Sequence, residues 1–423
     1  MRGPGQAPGV HNNLGIALIA NGDREGGIRE FRAALAIDGT YASIHHNLGL
    51  ALYAANDLDE ALGAFRAALA IDPQDLSAHI NLGDILADTN HLEEAIGHYR
   101  AALDINPKEP EAHIGLGNAL YAKKDLEGAV GEYRRAALDI VPPNATVHYN
   151  LGVVLYAMKD LDGALSAYRA ALDINPKHVG AHHNLGYVLA HLNDLEGAIR
   201  HYRKALDIDP KDAPAHIGLG NALFAREDLE GAISAFQDAV AADSGSAIAH
   251  NGLGFAWLTK GEFEKAIGEF RAAVKLDPKN GLIFNNLGGA LFAKGDGEGA
   301  MRAFHDAVRV APQDFKGYAN LGAILLHLKR DVKGALREYR KALTCLRADL
   351  ANWRKLLEDD NARFRMSVRQ EMQRWLADPG FAGVRSQALA SLPKAERQAW
   401  QKLWADVHEL FAKAGGKSSR PEK

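Results

Sequence analysis

The chain has 423 residues, 47% of them hydrophobic and 24% charged, with a formal net charge of −4, the balance of an ordinary folded protein. So small a charge does not imply nucleic acid or an acidic membrane as a partner. The single cysteine, Cys345, excludes an intrachain disulfide framework and any zinc site built on several cysteines. Residues 1–8 are expected to be disordered, and Met1-Arg-Gly-Pro-Gly-Gln-Ala-Pro-Gly carries no apolar stretch of the kind a secretory signal needs. No segment reaches the roughly 18 uninterrupted apolar residues of a membrane span, so the cytoplasm is the expected compartment.

From residue 9 to residue 343 one unit recurs ten times, marked by glycines 15, 49, 83, 117, 152, 186, 220, 254, 288 and 322. Consecutive glycines are 34 residues apart, except for one 35-residue step between Gly117 and Gly152. A fixed period of this size signals a stack of small units that bury one another's faces. Residues 180–213 illustrate the unit. Ala181, Leu185, Val188 and Leu189 fall at helical spacing and predict a first helix. Asn193-Asp194 breaks it, and Asp194 is placed to cap a second helix carrying Ala198, Ile199, Tyr202, Ala205 and Leu206. Pro210 closes the unit, having no amide proton to donate and clashing with a preceding helical turn. Pairs such as Gly83/Ala95, Gly186/Ala198 and Gly254/Ala266 mark where the two helices are expected to approach closely. Extra residues fall before Pro142 and near Arg330, in loops where insertion costs little.

This pattern of Leu-Gly, then Ala, then Tyr or Phe, then Ala and Pro resembles the tetratricopeptide repeat. The resemblance implies an all-α fold, a right-handed α-solenoid of ten helix–turn–helix units. First helices would line a concave groove and second helices would lie outside. Two features depart from the family pattern: His replaces the usual aromatic four residues before most of the glycines, and Leu replaces Tyr three residues after, with Trp257 as the exception. The octet His113-Ile-Gly-Leu-Gly-Asn-Ala-Leu returns unchanged from His216, which points to duplication of a three-repeat block.

Three columns of residues invite a functional reading. His11, His45, His79, His113, His148, His182, His216 and His250 are in register, but successive repeats would separate them by about 10 Å, too far to share an ion. Phe284 and Tyr318 continue the column, so packing is the expected role. His178 with His182 has ligand spacing, but His178 is placed in the loop after Pro176. Asn13, Asn47, Asn81, Asn150, Asn184, Asn286 and Asn320 stand two residues before their glycines, with Gly115, Gly218 and Gly252 in the gaps. An amide donates and accepts at once and suits an extended peptide backbone; equally, it suits bracing between helices. The ladder is similar to the one that faces the groove in the O-GlcNAc transferase superhelix, a resemblance that implies peptide-backbone contact. The repeat register adds Tyr53, Tyr121, Tyr149, Tyr156, Tyr187, Phe224, Phe255 and Phe292 to the groove, which reads as apolar and aromatic with few charges. The carboxylate clamp of relatives that bind chaperone tails would need Lys or Arg where Ser43, Ser77, Glu111, Thr146, Gly180 and Pro214 stand, with only Lys316 basic, so that mode is not expected.

No catalytic, cofactor or metal site is expected. Gly115-Leu-Gly117 lies inside a helix without the spacing of a phosphate loop, and Asp314-Phe315-Lys316-Gly317 lacks the companions of a kinase signature. Residues 344–414 form a separate, tryptophan-rich stretch with Trp353, Trp375, Trp400 and Trp404; residues 344–423 carry 15 Lys/Arg against 10 Asp/Glu. Its first part should continue helically from Cys345 and cover the last repeat, with further helices over 362–376 and 393–414 and a disordered end at 415–423. Its wording resembles a terminal module of large bacterial proteins that also carry Ser/Thr kinase domains or long repeat arrays. The chain as a whole is expected to be a non-catalytic scaffold holding a protein or peptide segment in the groove. An alternative is the regulatory or substrate-recruiting arm, or a fragment, of a bacterial Ser/Thr protein kinase or a glycosyltransferase of the O-GlcNAc type whose catalytic domain is not in this chain but is encoded next to it. Self-association through the exposed first repeat is a third expectation.

Overall fold

The computed structural model describes residues 8–139, 143–358, 362–377 and 393–415. The insertion before Pro142, the loop at 378–380, and most of the two expected disordered ends lie outside the described residues. Helices follow one another through the described residues. They run α1 (Pro8–Ala20), α2 (Arg24–Ile37), α3 (Ala42–Ala54), α4 (Leu58–Ile71), α5 (Leu76–Asp88), α6 (Leu92–Ile105), α7 (Pro110–Ala122) and α8 (Leu126–Asp139). Next come α9 (Ala145–Ala157), α10 (Leu161–Ile174), α11 (Val179–His191), α12 (Leu195–Ile208), α13 (Ala213–Ala225), α14 (Leu229–Ala242), α15 (Ala247–Lys260) and α16 (Phe263–Leu276). The last are α17 (Gly281–Lys294), α18 (Gly297–Val310), α19 (Phe315–His327), α20 (Val332–Glu358), α21 (Ala362–Ala377) and α22 (Lys394–Lys413). They form consecutive antiparallel pairs, an all-helical solenoid.

The chain packs as two compact units, 1–192 and 193–423. The first holds the pairs α1/α2 to α9/α10 and the helix α11. The second holds α12, the pairs α13/α14 to α19/α20, and the tail helices. Within each unit first helices of successive repeats touch directly, as α3 with α5 and α15 with α17 do.

Local sequence explains each turn. The residue before the second helix's cap takes a left-handed backbone: Gly22, Asn56, Asn90, Lys124, Lys159, Asn193, Glu227, Gly261, Gly295 and Arg330 all have positive φ. The next amide then reaches back five residues, as Asp57 to the Leu52 carbonyl (3.0 Å) and Asp228 to Leu223 (2.9 Å), closing the helix end in a Schellman arrangement. In repeat ten the bond runs from Asp331 to Leu325 (2.8 Å), six residues back, which absorbs the extra residue near Arg330. The following Asp caps the second helix: the Asp23, Asp57, Asp160, Asp194, Asp228 and Asp296 carboxylates accept from an amide three residues on. Only glycine adopts positive φ without steric cost. Lys124→Gly, Lys159→Gly and Glu227→Gly are therefore each expected to raise stability by about 0.5–1 kcal/mol, measured as a shift in the denaturant midpoint at constant slope.

The repeat glycines have a more specific role than helix proximity. A methyl added at Gly49, Gly83, Gly117, Gly220 or Gly254 would sit 2.8–2.9 Å from a ring carbon of Phe65, Tyr99, Tyr133, Phe236 or Phe270. Each glycine thus makes room for the aromatic ring sixteen residues later on its partner helix. Those rings form the core: Phe31, Phe65, Tyr99, Tyr133, Tyr168, Tyr202, Phe236 and Phe270 are buried, and so is the alanine column from Ala61 to Ala335. In α1, Val10, Leu14 and Ile16 stay about half exposed, whereas Leu48, Leu82 and Leu116, the counterparts of Leu14, are buried.

The tail continues the second unit's core. Helix α20 runs unbroken from repeat ten, and Leu343, Leu346 and Leu350 share one apolar cluster with Val368, Met372 and Trp375 of α21 and Trp400, Leu403 and Val407 of α22. Arg340 pairs with Glu396, and Arg354 with Asp406 at 3.2 Å.

Candidate functional site

The histidine column is a set of polar clips rather than plain packing. His45, His113, His182 and His216 each place Nε2 2.9–3.0 Å from the carbonyl six residues earlier, in the loop that closes the preceding repeat. Where the second helix supplies a partner, Nδ1 meets it nineteen residues on: Glu30 for His11 (2.6 Å), His98 for His79 (3.0 Å), Glu132 for His113 (2.6 Å) and Glu269 for His250 (2.7 Å). His178 caps α11, its Nδ1 accepting from the Ala181 amide at 3.1 Å, as expected of a loop residue. Burial pushes the His98 and His148 imidazoles below their ordinary range, helped at His98 by the charge of His79 and Arg66. A depressed imidazole binds its proton less well folded than unfolded. Its contribution is present above the unfolded value of about 6.5 and is lost as pH falls through the folded one. The thermal midpoint is therefore expected to drop between pH 7 and pH 5.5, and to drop less in a His98→Gln/His148→Phe variant.

Five of the seven asparagines tie neighbouring repeats together. Nδ2 of Asn47 donates to Asn12 (3.0 Å), that of Asn184 to the Tyr149 hydroxyl (3.3 Å), that of Asn286 to Asn251 (2.9 Å) and that of Asn320 to Asn285 (3.4 Å). All four span 35 residues, from one repeat to the position before its counterpart in the repeat behind. Asn150 instead donates to Asn118 at 3.4 Å, and Asn13 and Asn81 make no side-chain hydrogen bond among the described residues. In the gaps, Gly115, Gly218 and Gly252 lie against the rings of Tyr99, Tyr202 and Phe236. Tyr149 packs on Tyr168 and His178, with centroids 6.0 and 4.8 Å away, which makes it a repeat-to-repeat contact as well.

The other rings are arranged in a recurring cell on the first-helix face. The residue four past one glycine meets those one and five past the next. In the first unit Tyr156 meets Tyr187 (5.5 Å between centroids) and His191 (6.0 Å), and Tyr187 meets His191 at 4.8 Å. The same cell between repeats two and three holds Tyr53, Asp84 and Asp88, with the Tyr53 hydroxyl donating to Asp88 at 3.0 Å. In the second unit Phe224 meets Phe255 at 5.4 Å. Tyr121, Tyr187, Phe255 and Phe292 keep 38%, 44%, 44% and 51% of their surface exposed, unlike the buried second-helix rings.

Hydroxyls of the second-helix tyrosines reach the same face: Tyr99 donates to Asp84 (2.7 Å) and Tyr133 to Asn118 (2.6 Å). Burial and the Asp88 charge raise the Asp84 carboxyl, against the lowering effect of Tyr99. The aspartates, His191 and these hydroxyls were not singled out from sequence, although aligning positions 31 and 35 residues apart would have found the cell. Basic residues at or just past the ends of first helices are already paired across repeats: Lys123 with Glu93, Arg226 with Glu196 (2.9 Å), Lys260 with Glu230 (2.6 Å) and Lys294 with Glu264 (3.4 Å). Among the described residues no group of three or more His, Cys, Asp or Glu is placed to hold a metal, and no helix is long and apolar enough to cross a membrane. The face offers ring surfaces and hydrogen-bond acceptors.

No curated protein matches the chain. Among solved structures, YrrB, described as a TPR protein with an unusual peptide-binding site, is 25% identical over 44% of this chain and 95% of its own, with a TM-score of 0.39. The pilF protein of Pseudomonas aeruginosa is 22% identical over 49% and 94%, with a TM-score of 0.45. TTC0263, a thermophilic TPR protein of Thermus thermophilus, is 24% identical over 43% and 99%, with a TM-score of 0.37. A tetratricopeptide-repeat family model matches residues 12–76, 149–213, 217–281 and 285–349, and a second TPR-repeat model matches 83–124 and 117–159. These matches span most of the array, and the chain belongs to the tetratricopeptide repeat family.

Proposed function

We propose that the chain is a non-catalytic scaffold that holds a protein or peptide segment against the first-helix faces of its repeats. The observation that carries this reading is the contrast between two sets of rings. Second-helix rings are buried, as the fold requires, while Tyr121 and Phe292, four past their glycines, and Tyr187 and Phe255, one past theirs, stay exposed at a cost in apolar hydration. Rigid rings with a polar rim supply contact area at little entropic cost, the usual make-up of a recognition surface. Asn47, Asn150, Asn184, Asn286 and Asn320 contribute chiefly by fixing neighbouring first helices, so removing them would disturb the face and its support together.

The exposed rings provide the cleaner test. A Tyr121→Ala/Tyr187→Ala/Phe255→Ala/Phe292→Ala variant should keep the wild-type helical signal and lose most captured partners in a pull-down from native lysate. An unchanged partner set from the variant would sink the reading.

A further inference from the structure

The first helices of the first unit differ from an average protein surface in their charge. α1, α3, α5, α7, α9 and α11 contain no Lys or Arg at all; their only charged residues besides histidine are Asp84, Asp88 and Glu111. Residues 1–192 together hold 14 Lys/Arg and 23 Asp/Glu, so the unit's field has the same sign as its face. Asp84 and Asp88 stand one turn apart on α5 and so point the same way. Their partners are neutral hydroxyls, Tyr99 at 2.7 Å and Tyr53 at 3.0 Å, and no cation of the chain pairs with either among the described residues. Three repeats further on, the same kind of cell is filled by Tyr156, Tyr187 and His191.

We infer that the first-helix face of residues 1–192 binds a cationic segment, an extended stretch that sets a Lys or Arg between Asp84 and Asp88 and an aromatic or proline side chain on Tyr156 and Tyr187. This rests on the scaffold reading above and names the chemistry of its ligand. Two carboxylates flanked by hydroxyl donors and by the Tyr53 ring suit a guanidinium or an ammonium, which adds charge-assisted hydrogen bonds to a cation–π contact. An acidic segment meets like charge with no Lys or Arg on these helices to receive it. Three repeat steps of ~10 Å correspond to about nine residues of extended chain between the two anchors.

The test uses the full chain and defined probes. A fluorescent twelve-residue peptide carries Arg near one end, Trp near the other and a Ser/Gly spacer between them; its analogues replace Arg by Gln or by Glu. Anisotropy titrations should rank Arg above Gln above Glu, with the Arg affinity falling as salt rises. Asp84→Asn/Asp88→Asn keeps an acceptor for each tyrosine hydroxyl and should weaken the Arg peptide about tenfold while leaving the Gln peptide unchanged. Thermal melts matching the wild type show that the variant is folded. Equal affinity for the Arg and Gln peptides, no effect of the double substitution, or no binding of any probe would each overturn the inference. The scaffold reading stands or falls separately, on partner capture by the ring-deleted variant.

Discussion

Replacing Trp400 by alanine is expected to cost about 3–5 kcal/mol and to loosen the end of the second unit. The indole is 1% exposed, and its cluster draws on α19, α20, α21 and α22 together. A cavity at that point strips contacts from several helices at once, and the ion pairs from Arg340 to Glu396 and from Arg354 to Asp406 are too exposed on the arginine side to compensate. Repeat ten relies on the same cluster through Tyr339, Leu343 and Leu346. Hydrogen exchange should therefore quicken in α19–α22 and stay unchanged in residues 8–139. Exchange unaltered in α21 and α22 would mean that the tail does not depend on this cluster.

Phe270→Ala is expected to have a similar cost, about 3–5 kcal/mol, with a different consequence. The ring is fully buried over Gly254 and belongs to a cluster that includes Leu287, Leu291 and Phe304 of the next repeat. In a linear array, stability is a sum of repeat terms and nearest-neighbour terms, so losing this ring weakens a repeat and a junction together. Unfolding by guanidinium should change from one transition towards two. Phe270→Tyr is the informative companion. At the matching positions Tyr99 and Tyr133 have polar acceptors, Asp84 and Asn118, whereas the position one past Gly254 is Phe255. A tyrosine at 270 would bury a hydroxyl without that partner, costing about 1–3 kcal/mol. A single unchanged transition in Phe270→Ala would contradict the junction argument.

The helix pairs were legible because their causes are local. The helical spacing of Leu185, Val188 and Leu189, the cap at Asp194 and the stop at Pro210 lie within one repeat, and ten copies remove ambiguity. The candidate face was legible only in part. Sequence register placed Tyr121, Tyr187, Phe255 and Phe292 on the first helices, and they are exposed there. It gave the histidines a packing role, although their ring nitrogens hold loop carbonyls and second-helix carboxylates. A ring that must be flat and a ring that must be polar leave the same mark in one sequence. Phe284 in the column suggested flatness, and only the Pro107 carbonyl and Glu132 beside His113 reveal the polar bond.

The asparagines mark the boundary most clearly. By itself the sequence determined the period, the helix pair, its caps and the need for small residues at the glycines, because each follows from spacing along one chain. The tertiary structure alone decided that the Asn47, Asn184 and Asn286 amides are spent on the repeat behind them. It also decided that Tyr53 meets Asp88 while Tyr156 meets Tyr187 and His191. Hydrogen-bond partners are set by ångström-scale offsets between stacked helices. Those offsets depend on how glycine and ring interlock across each junction, and no single repeat encodes them.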